Sequence, residues 1–369
     1  MSSSERWMAT VASIWIQSIV GGSYAFGVYS PAIKSSQSYD QSTLDTVSVF
    51  KDIGSNVGVL SGLLYAAVTA SSRPHPWHCF HGPWVVLAVG NIQCFLGYFL
   101  MWLAVVGFIP RPPVPLMCIF MFLAAHGPTF FSTATVVTGV LNFPDYSGTI
   151  VGILKGFLGL TGAILIQIYQ AFFKGNQSNF ILMLALLPTT VTFSLMCLVK
   201  ICPASGSDDK RHLNRFSLIA LILAVFLMII IILENVLVFP QWARLFALVV
   251  LLLLLGSPLR IALEAIGKEK SQTLLLEKEP LADSNYLHAS DEFVGEKDYN
   301  ELSITLNEIP LPAEENIDIM KAMQSLNFWL LFVSMSCGMG SGLATINNLS
   351  QIGQSLGYDT VKINTLVSL

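Results

Sequence analysis

Nine stretches of this chain are predominantly apolar over roughly twenty residues or more, and that property decides what it can fold into. They run Trp7–Val28, Val47–Ala70, Trp84–Gly107, Pro115–Thr138, Gly148–Phe172, Phe180–Val199, Phe216–Leu237, Trp242–Ile261 and Ser325–Ile346. Each is long enough to cross about 30 Å of hydrocarbon. In hydrocarbon a backbone must satisfy its own N–H and C=O groups, so each stretch is expected to be a helix. Only 11% of the 369 residues are charged and 53% are apolar, against about 25% charged in soluble domains. The expectation is an all-α polytopic membrane protein in contact with the lipid bilayer. Val361–Leu369 reads as the start of a tenth span, from which a fragment or truncated product is expected.

Charge is divided unevenly. Between Glu264 and Asp318 stand fourteen acidic residues and four lysines, so the formal net charge of -4 conceals a basic remainder. Segment 263–320 has the high charge and low aromatic content of a disordered loop and is a candidate for binding a protein partner. In the short loops the Lys/Arg excess marks the cytoplasmic side. Arg6, Arg73, Lys200, Lys210, Arg211 and Arg215 outnumber Lys34, Arg111, Lys174 and Arg244 on the other face. This places the N-terminus in the cytoplasm, in the plasma membrane or an endomembrane. The first apolar run is too long for a cleavable signal and is expected to stay as an anchor. Six cysteines, scattered and without a CxxC pair, read as packing residues. No basic stripe with interleaved aromatics points to nucleic acid. His75, His78, Cys79 and His81 lie in a short proline-rich loop; no metal site or cofactor is expected there or elsewhere.

The polar residues inside the spans carry the functional signal. In span five Gly148, Gly152 and Gly156 recur every fourth residue, which builds a ridge for close helix packing. Lys155 beside it lies about 12 Å into the span, where an ammonium needs a partner, a cavity or a ligand. Gly54, Gly58 and Gly62 make a second packing ridge in span two, after Lys51 and Asp52. Those two charges project about 100° apart on a helix, so each is expected to find its own partner, and both are candidates for ion pairing or coupling. Asn56 follows as a hydrogen-bonding wall. Span one breaks at Gly21-Gly22-Ser23-Tyr24, and Tyr24 in such a break is expected to line a cavity. His126, mid-way along span four before Pro128, is a candidate proton carrier or hydrogen-bond donor. Spans seven and eight are almost wholly aliphatic apart from Glu234 and read as lipid-facing linker helices.

Span nine repeats span one. Gly340 follows Gly21, and Tyr358-Asp359 follows Tyr39-Asp40, at one offset of 319 residues. Eight spans separate the two starts, so both units enter the membrane in the same direction. Parallel halves related about the membrane normal are a known transporter architecture.

The stretches NFPDYSGTIVGILKGFLGLTGAI, VSVFKDIGSNVGVLSGLLY, RWMATVASIWIQSIVGGSYAFGVYSPAIK and GYFLMWLAV resemble plant nodulin-like proteins of the major facilitator superfamily, including the nuclear-fusion-defective type. The resemblance covers residues 6–369. It implies a major facilitator fold with a complete N-terminal six-helix bundle at 7–200. Two extra helices at 215–262, the acidic loop at 263–320 and the start of an incomplete C-terminal bundle at 321–369 would follow. It departs from the superfamily in two places: Ser71–Pro83 holds no Asp-Arg pair, and Pro115–Thr138 holds no arginine. A more distant similarity to oxalate/formate and monocarboxylate facilitators implies small organic anions.

These features point to a secondary transporter of a small solute, working as a monomer by alternating access, and the more distant resemblance implies an organic anion as that solute. Lys155 would meet an anionic group, with His126, Tyr24 and Asn56 around the solute. The alternatives are a non-transporting scaffold or receptor in membrane fusion or development, or an inactive truncated product. An enzyme is not expected, because HExxH, GxSxG and intrahelical aspartate pairs are missing.

Overall fold

A computed structural model describes residues 3–69, 81–173, 177–202, 209–237, 240–278 and 319–358. Every regular element in it is a helix. Among the described residues, seven helices are long and apolar enough to cross a membrane: Glu5–Gln37, Pro83–Val106, Val114–Asn142, Pro144–Phe172, Gln177–Leu198, Asp209–Glu234 and Gln241–Gly267. The chain is an all-α, multi-pass integral membrane protein.

Span one is two helices, α1 (Ser3–Gln17) and α2 (Phe26–Gln37), joined through a 3-10 turn at Gly22–Ala25. Span two starts earlier than its apolar run, because Asp40 caps α3 (Gln41–Asn56) by accepting the Thr43 N–H at 2.8 Å. It then breaks at Val57-Gly58 and resumes as α4 (Val59–Thr69). A single helix over Val47–Ala70 was expected. The Gly54, Gly58 and Gly62 rhythm that suggested packing includes the point where the helix stops.

The next helices are α5 (Pro83–Val106), α6 (Val114–Asn142), α7 (Ser147–Phe172) and α8 (Gln177–Leu195). Proline at the first turn starts α5, where a missing N–H costs nothing, and Gly107 ends it at φ 94°. The helices α9 (Asp209–Val236) and α10 (Gln241–Lys278) follow. Residues 263–278, expected in a disordered loop, continue α10. The rest of the acidic segment lies outside the described residues.

The most extensive helix pair is α5 with α6, and the reason is glycine. A Cβ on Gly127 would stand 2.6 Å from the Gly90 carbonyl oxygen, and one on Gly90 would stand 2.8 Å from that of Gly127. Gly97 lies equally tight against the Ala124 backbone. Close backbone approach of this kind is what holds helices together in lipid. Around this seam α2, α5, α6 and α8 share one apolar core, including Tyr29, Leu87, Met121 and Phe180.

A second core joins α1 and α7 to α9 and α10 through Trp7, Ile14, Phe157, Phe216, Leu223 and Leu251. Trp15 donates its indole N–H to the Leu255 carbonyl at 2.7 Å. The expectation of purely lipid-facing linkers is therefore corrected: one face of each is buried, while Leu221 and Leu253 on the other stay exposed. Helix α9 is pinned to α1 at one end by Arg6, which is fully buried and donates two hydrogen bonds to Asp209 at 2.8 and 2.7 Å. The guanidinium also lies over the rings of Trp7 and Phe143, at 5.1 and 4.7 Å.

Among the described residues, 271–278 and 319–342 belong to a compact unit of their own. After a short helix, α11 (Ile319–Met323), α12 (Leu326–Ser355) runs unbroken, so Gly340 sits inside a helix where its counterpart Gly21 sits in a break. The repeat is nevertheless visible in how the helices end. Tyr39 N–H donates to the Lys34 carbonyl at 3.0 Å, with Ser38 at φ 55°. Tyr358 N–H donates to the Gly353 carbonyl at 3.0 Å, with Gly357 at φ 78°. The same left-handed cap recurs at the offset read from sequence.

Candidate functional site

The two interrupted spans meet. At the break in span one a Cβ on Gly21 would fall 2.9 Å from Cβ of Thr161, and one on Gly22 would fall 2.8 Å from the Tyr98 hydroxyl. Glycine is needed there so that α7 and α5 can approach the irregular backbone. The carbonyl of Gln17, released where α1 ends, accepts from the Thr161 hydroxyl at 2.8 Å, and the Gln17 amide donates to Thr135 on α6 at 2.6 Å. Ser55, near the end of α3, donates to Ser23 in the 3-10 turn at 3.2 Å. Irregular backbone at this depth is tolerated only where such groups satisfy it.

Helix α6 supports both breaks, from opposite faces. His126 is buried, and its Nδ1 lies 3.1 Å from the Gly54 carbonyl, which the break of span two leaves free because the Gly58 N–H donates to Asn56. A Cβ on Gly54 would stand 2.6 Å from the Phe122 carbonyl oxygen, so α3 lies directly on α6 here. Thr129 donates to the His126 carbonyl at 2.7 Å. One turn on, Thr133 pairs with Ser61 of α4 at 2.7 Å, and Thr138 pairs with Tyr65 at 3.0 Å. Both halves of span two are thus fastened to the same helix.

Lys155 donates to Ser132 of α6 at 2.7 Å. It stands on an exposed face of α7 together with Gly152 and Gly156. Among the described residues it makes no ion pair. An ammonium held by one hydroxyl on an open face within a membrane span can receive an anion.

Residues 6–263 match the family described as Nodulin-like. The chain belongs to the Nodulin-like family. This nodulin-like chain is also 25% identical, over 377 aligned positions, to Protein NUCLEAR FUSION DEFECTIVE 4 of Arabidopsis thaliana. That alignment covers 98% of the chain and 62% of the relative, so the chain spans under two thirds of the relative's length. No solved structure matches it.

Several expected residues of this nodulin-like protein stand elsewhere than their spacing suggested. Lys51 and Asp52 pair with each other at 3.1 Å, with the Lys51 ammonium 4.8 Å from the Phe26 ring centre. The 100° between their Cβ directions is overcome because four methylenes let the ammonium turn back onto the next side chain. Lys51 is 2% exposed, so it is held among protein side chains and does not reach for the interface. Asn56 donates to the Asp52 carbonyl at 2.8 Å, a local helix bond. Tyr24 is 43% exposed beside the break. A Cβ on Gly148, Gly152, Gly156 or Gly62 would meet nothing within 4 Å, and on Gly58 only Ser61 at 3.9 Å. Of the two predicted ridges, only Gly54 makes a close contact between helices among the described residues.

Sequence reasoning missed Gln17, Thr135 and Thr161, which join α1, α6 and α7. A glutamine amid the apolar run of span one was the available signal. It also missed a polar cluster at the other end of α9, where Glu234 accepts from Gln167 at 2.9 Å and lies 3.9 Å from Arg244. His75, His78 and Cys79 lie outside the described residues. Among those described, no three His, Cys, Asp or Glu side chains are grouped to hold a metal.

Proposed function

We propose that this chain carries the solute site of a secondary transporter that moves a small organic anion by alternating access. The observation that supports this reading is the meeting of two interrupted spans against α6, with an ammonium nearby that no carboxylate neutralises among the described residues. Discontinuous membrane helices supply backbone and side-chain polar groups to solutes near mid-depth, and rocking about them opens one side at a time. In this reading Lys155 holds the anionic group, and Tyr24 and the Ser23–Ser55 pair form the wall beside it. The exposed glycine face of α7 is where a second bundle would close over the solute. The chain works as a monomer with a cytoplasmic N-terminus and performs no covalent chemistry.

The test is uptake into proteoliposomes of radiolabelled lactate, oxalate, succinate and malate. Uptake of at least one, lost in Lys155→Met and largely kept in Lys155→Arg, is the expected result. No uptake of any of the four, or uptake indifferent to Lys155→Met, overturns the proposal. The name of the Arabidopsis relative concerns nuclear fusion, which favours a second reading as a non-transporting membrane scaffold. Absence of uptake by a well-folded chain would move the balance to it.

A further inference from the structure

Helix α7 carries one charged residue, Lys155, and the row that leads from it toward the break in span one has no side chains on it. Residues four and seven positions on from Lys155 point within about 40° of it around a helix, and both are glycine, Gly159 and Gly162. A Cβ on Gly159 would meet nothing within 4 Å, and one on Gly162 would meet the Tyr24 Cβ at 3.6 Å. Lys155 and Tyr24 therefore mark the two ends of one open row about 10 Å long. Tyr24 can sit at its end because a second side chain is missing: its Cδ2 lies 2.9 Å from where a Cβ on Gly21 would stand. It still leaves 43% of its surface exposed.

What the row offers limits what it can hold. The hydroxyls around it are already bonded within the chain: Ser132 accepts from Lys155, Thr129 donates to the His126 carbonyl, Thr133 pairs with Ser61, and Ser55 donates to Ser23. A polyhydroxylated acid would find few partners there. Lys51, the other cation in the neighbouring spans, is tied to Asp52 at 3.1 Å. A second carboxylate on the solute would thus end beside a phenol ring, whose π face is negative. The surfaces left are one ammonium, a flat floor of glycine backbone and one exposed aromatic ring.

Resting on the transporter reading above, we propose that the solute is an aryl carboxylate, a monoanion whose carboxylate meets Lys155 while its ring lies on the Gly159–Gly162 floor against Tyr24. A floor without side chains lets a flat body approach the backbone closely. Covering the ring removes apolar surface from water, and offset or edge-on contact with Tyr24 adds to that. Tyr24 is then the residue that tells an aromatic acid from an aliphatic one, and Lys155 the residue that requires the charge.

The experiment measures equilibrium binding of radiolabelled phenylacetate to the purified full chain in mixed micelles, competed by acetate, succinate and uncharged phenylethanol. Phenylacetate is expected to bind at least roughly tenfold more tightly than acetate or succinate, and phenylethanol should not displace it at equal concentration. Tyr24→Ala should weaken phenylacetate roughly three- to tenfold and narrow its advantage over acetate, whereas Tyr24→Phe, which keeps the ring, should retain that advantage. Gly159→Leu fills the floor at a position where a Cβ has open space, so it should weaken phenylacetate more than acetate in a folded chain. No binding of phenylacetate, binding that persists in Lys155→Met, or an advantage over acetate that survives both Tyr24→Ala and Gly159→Leu overturns the proposal. Uptake of lactate or succinate by a chain with no preference for phenylacetate would sink this inference and leave the transporter reading standing. Specific phenylacetate binding without uptake of phenylacetate or any of the four acids would do the reverse.

Discussion

The two kinds of glycine in this protein predict opposite outcomes for one substitution. Gly127→Ala would put a methyl 2.6 Å from the Gly90 carbonyl oxygen and 2.7 Å from the Cys94 Cβ, with the Cys94 nitrogen at 2.8 Å. To restore ordinary contact, α5 and α6 must part by about 0.8 Å along their closest seam. Overpacking of that order costs about 1–3 kcal/mol. Gly156→Ala meets nothing within 4 Å and should gain up to about 1 kcal/mol of helix propensity. The two variants are thus expected to differ by about 1–4 kcal/mol, with the wild type between them. Denaturation in mixed micelles, followed by tryptophan fluorescence and by size exclusion of heated samples, gives the order directly. Gly90→Ala added to Gly127→Ala should cost less than its single effect, because the helices have already separated. If Gly127→Ala unfolds no more readily than Gly156→Ala, the α5–α6 seam is not what holds this bundle together.

Removing the Arg6 side chain should be worse still. Arg6→Ala leaves Asp209 buried without its bidentate partner, at an expected cost of about 3–5 kcal/mol, and Arg6→Met with Asp209→Leu should recover most of it in the same denaturation assay. Asp40 gives a pH test: hydrogen bonds from the Thr43 hydroxyl and amide hold its carboxyl below the usual 3.8. Its contribution is present above that ordinary value and is lost as the pH falls through the lower, folded one, so acid melting should be steeper in wild type than in Asp40→Asn. A Thr161→Val variant removes the donor to the Gln17 carbonyl. It should cost about 1–3 kcal/mol for an unsatisfied buried acceptor and leave α5–α6 packing intact, as read by cysteine cross-linking along that seam.

The spans were legible because hydrocarbon permits few backbone solutions, and eighteen or more apolar residues announce one of them. The interrupted first span was legible too, since Gly21-Gly22 within a run containing Tyr24 has few other uses. The glycine ridges were not. A four-residue rhythm gives the side of a helix without saying whether another helix is there, and the seam that formed uses Gly90, Gly97 and Gly127, which share no such rhythm. For the Lys51–Asp52 pair, Cβ geometry misled, because the length of a lysine stem outweighs one helical step. Arg6 and Asp209 lie 203 residues apart, and nothing local in either sequence neighbourhood points to the other. His126 was conspicuous at mid-span, but its contact with Gly54 depends on a break in span two that looked like an ordinary helix.

That same separation sets an order of assembly. At about 5–20 residues per second, the ribosome needs roughly 10–40 s to travel from Arg6 to Asp209. Throughout that interval the beginning of the first helix waits in the membrane interface for a counter-charge not yet synthesised. A product released before residue 209 would keep the first six apolar spans and lose the carboxylate that neutralises Arg6. The last-made part of the first seven spans is what locks the first-made part in place.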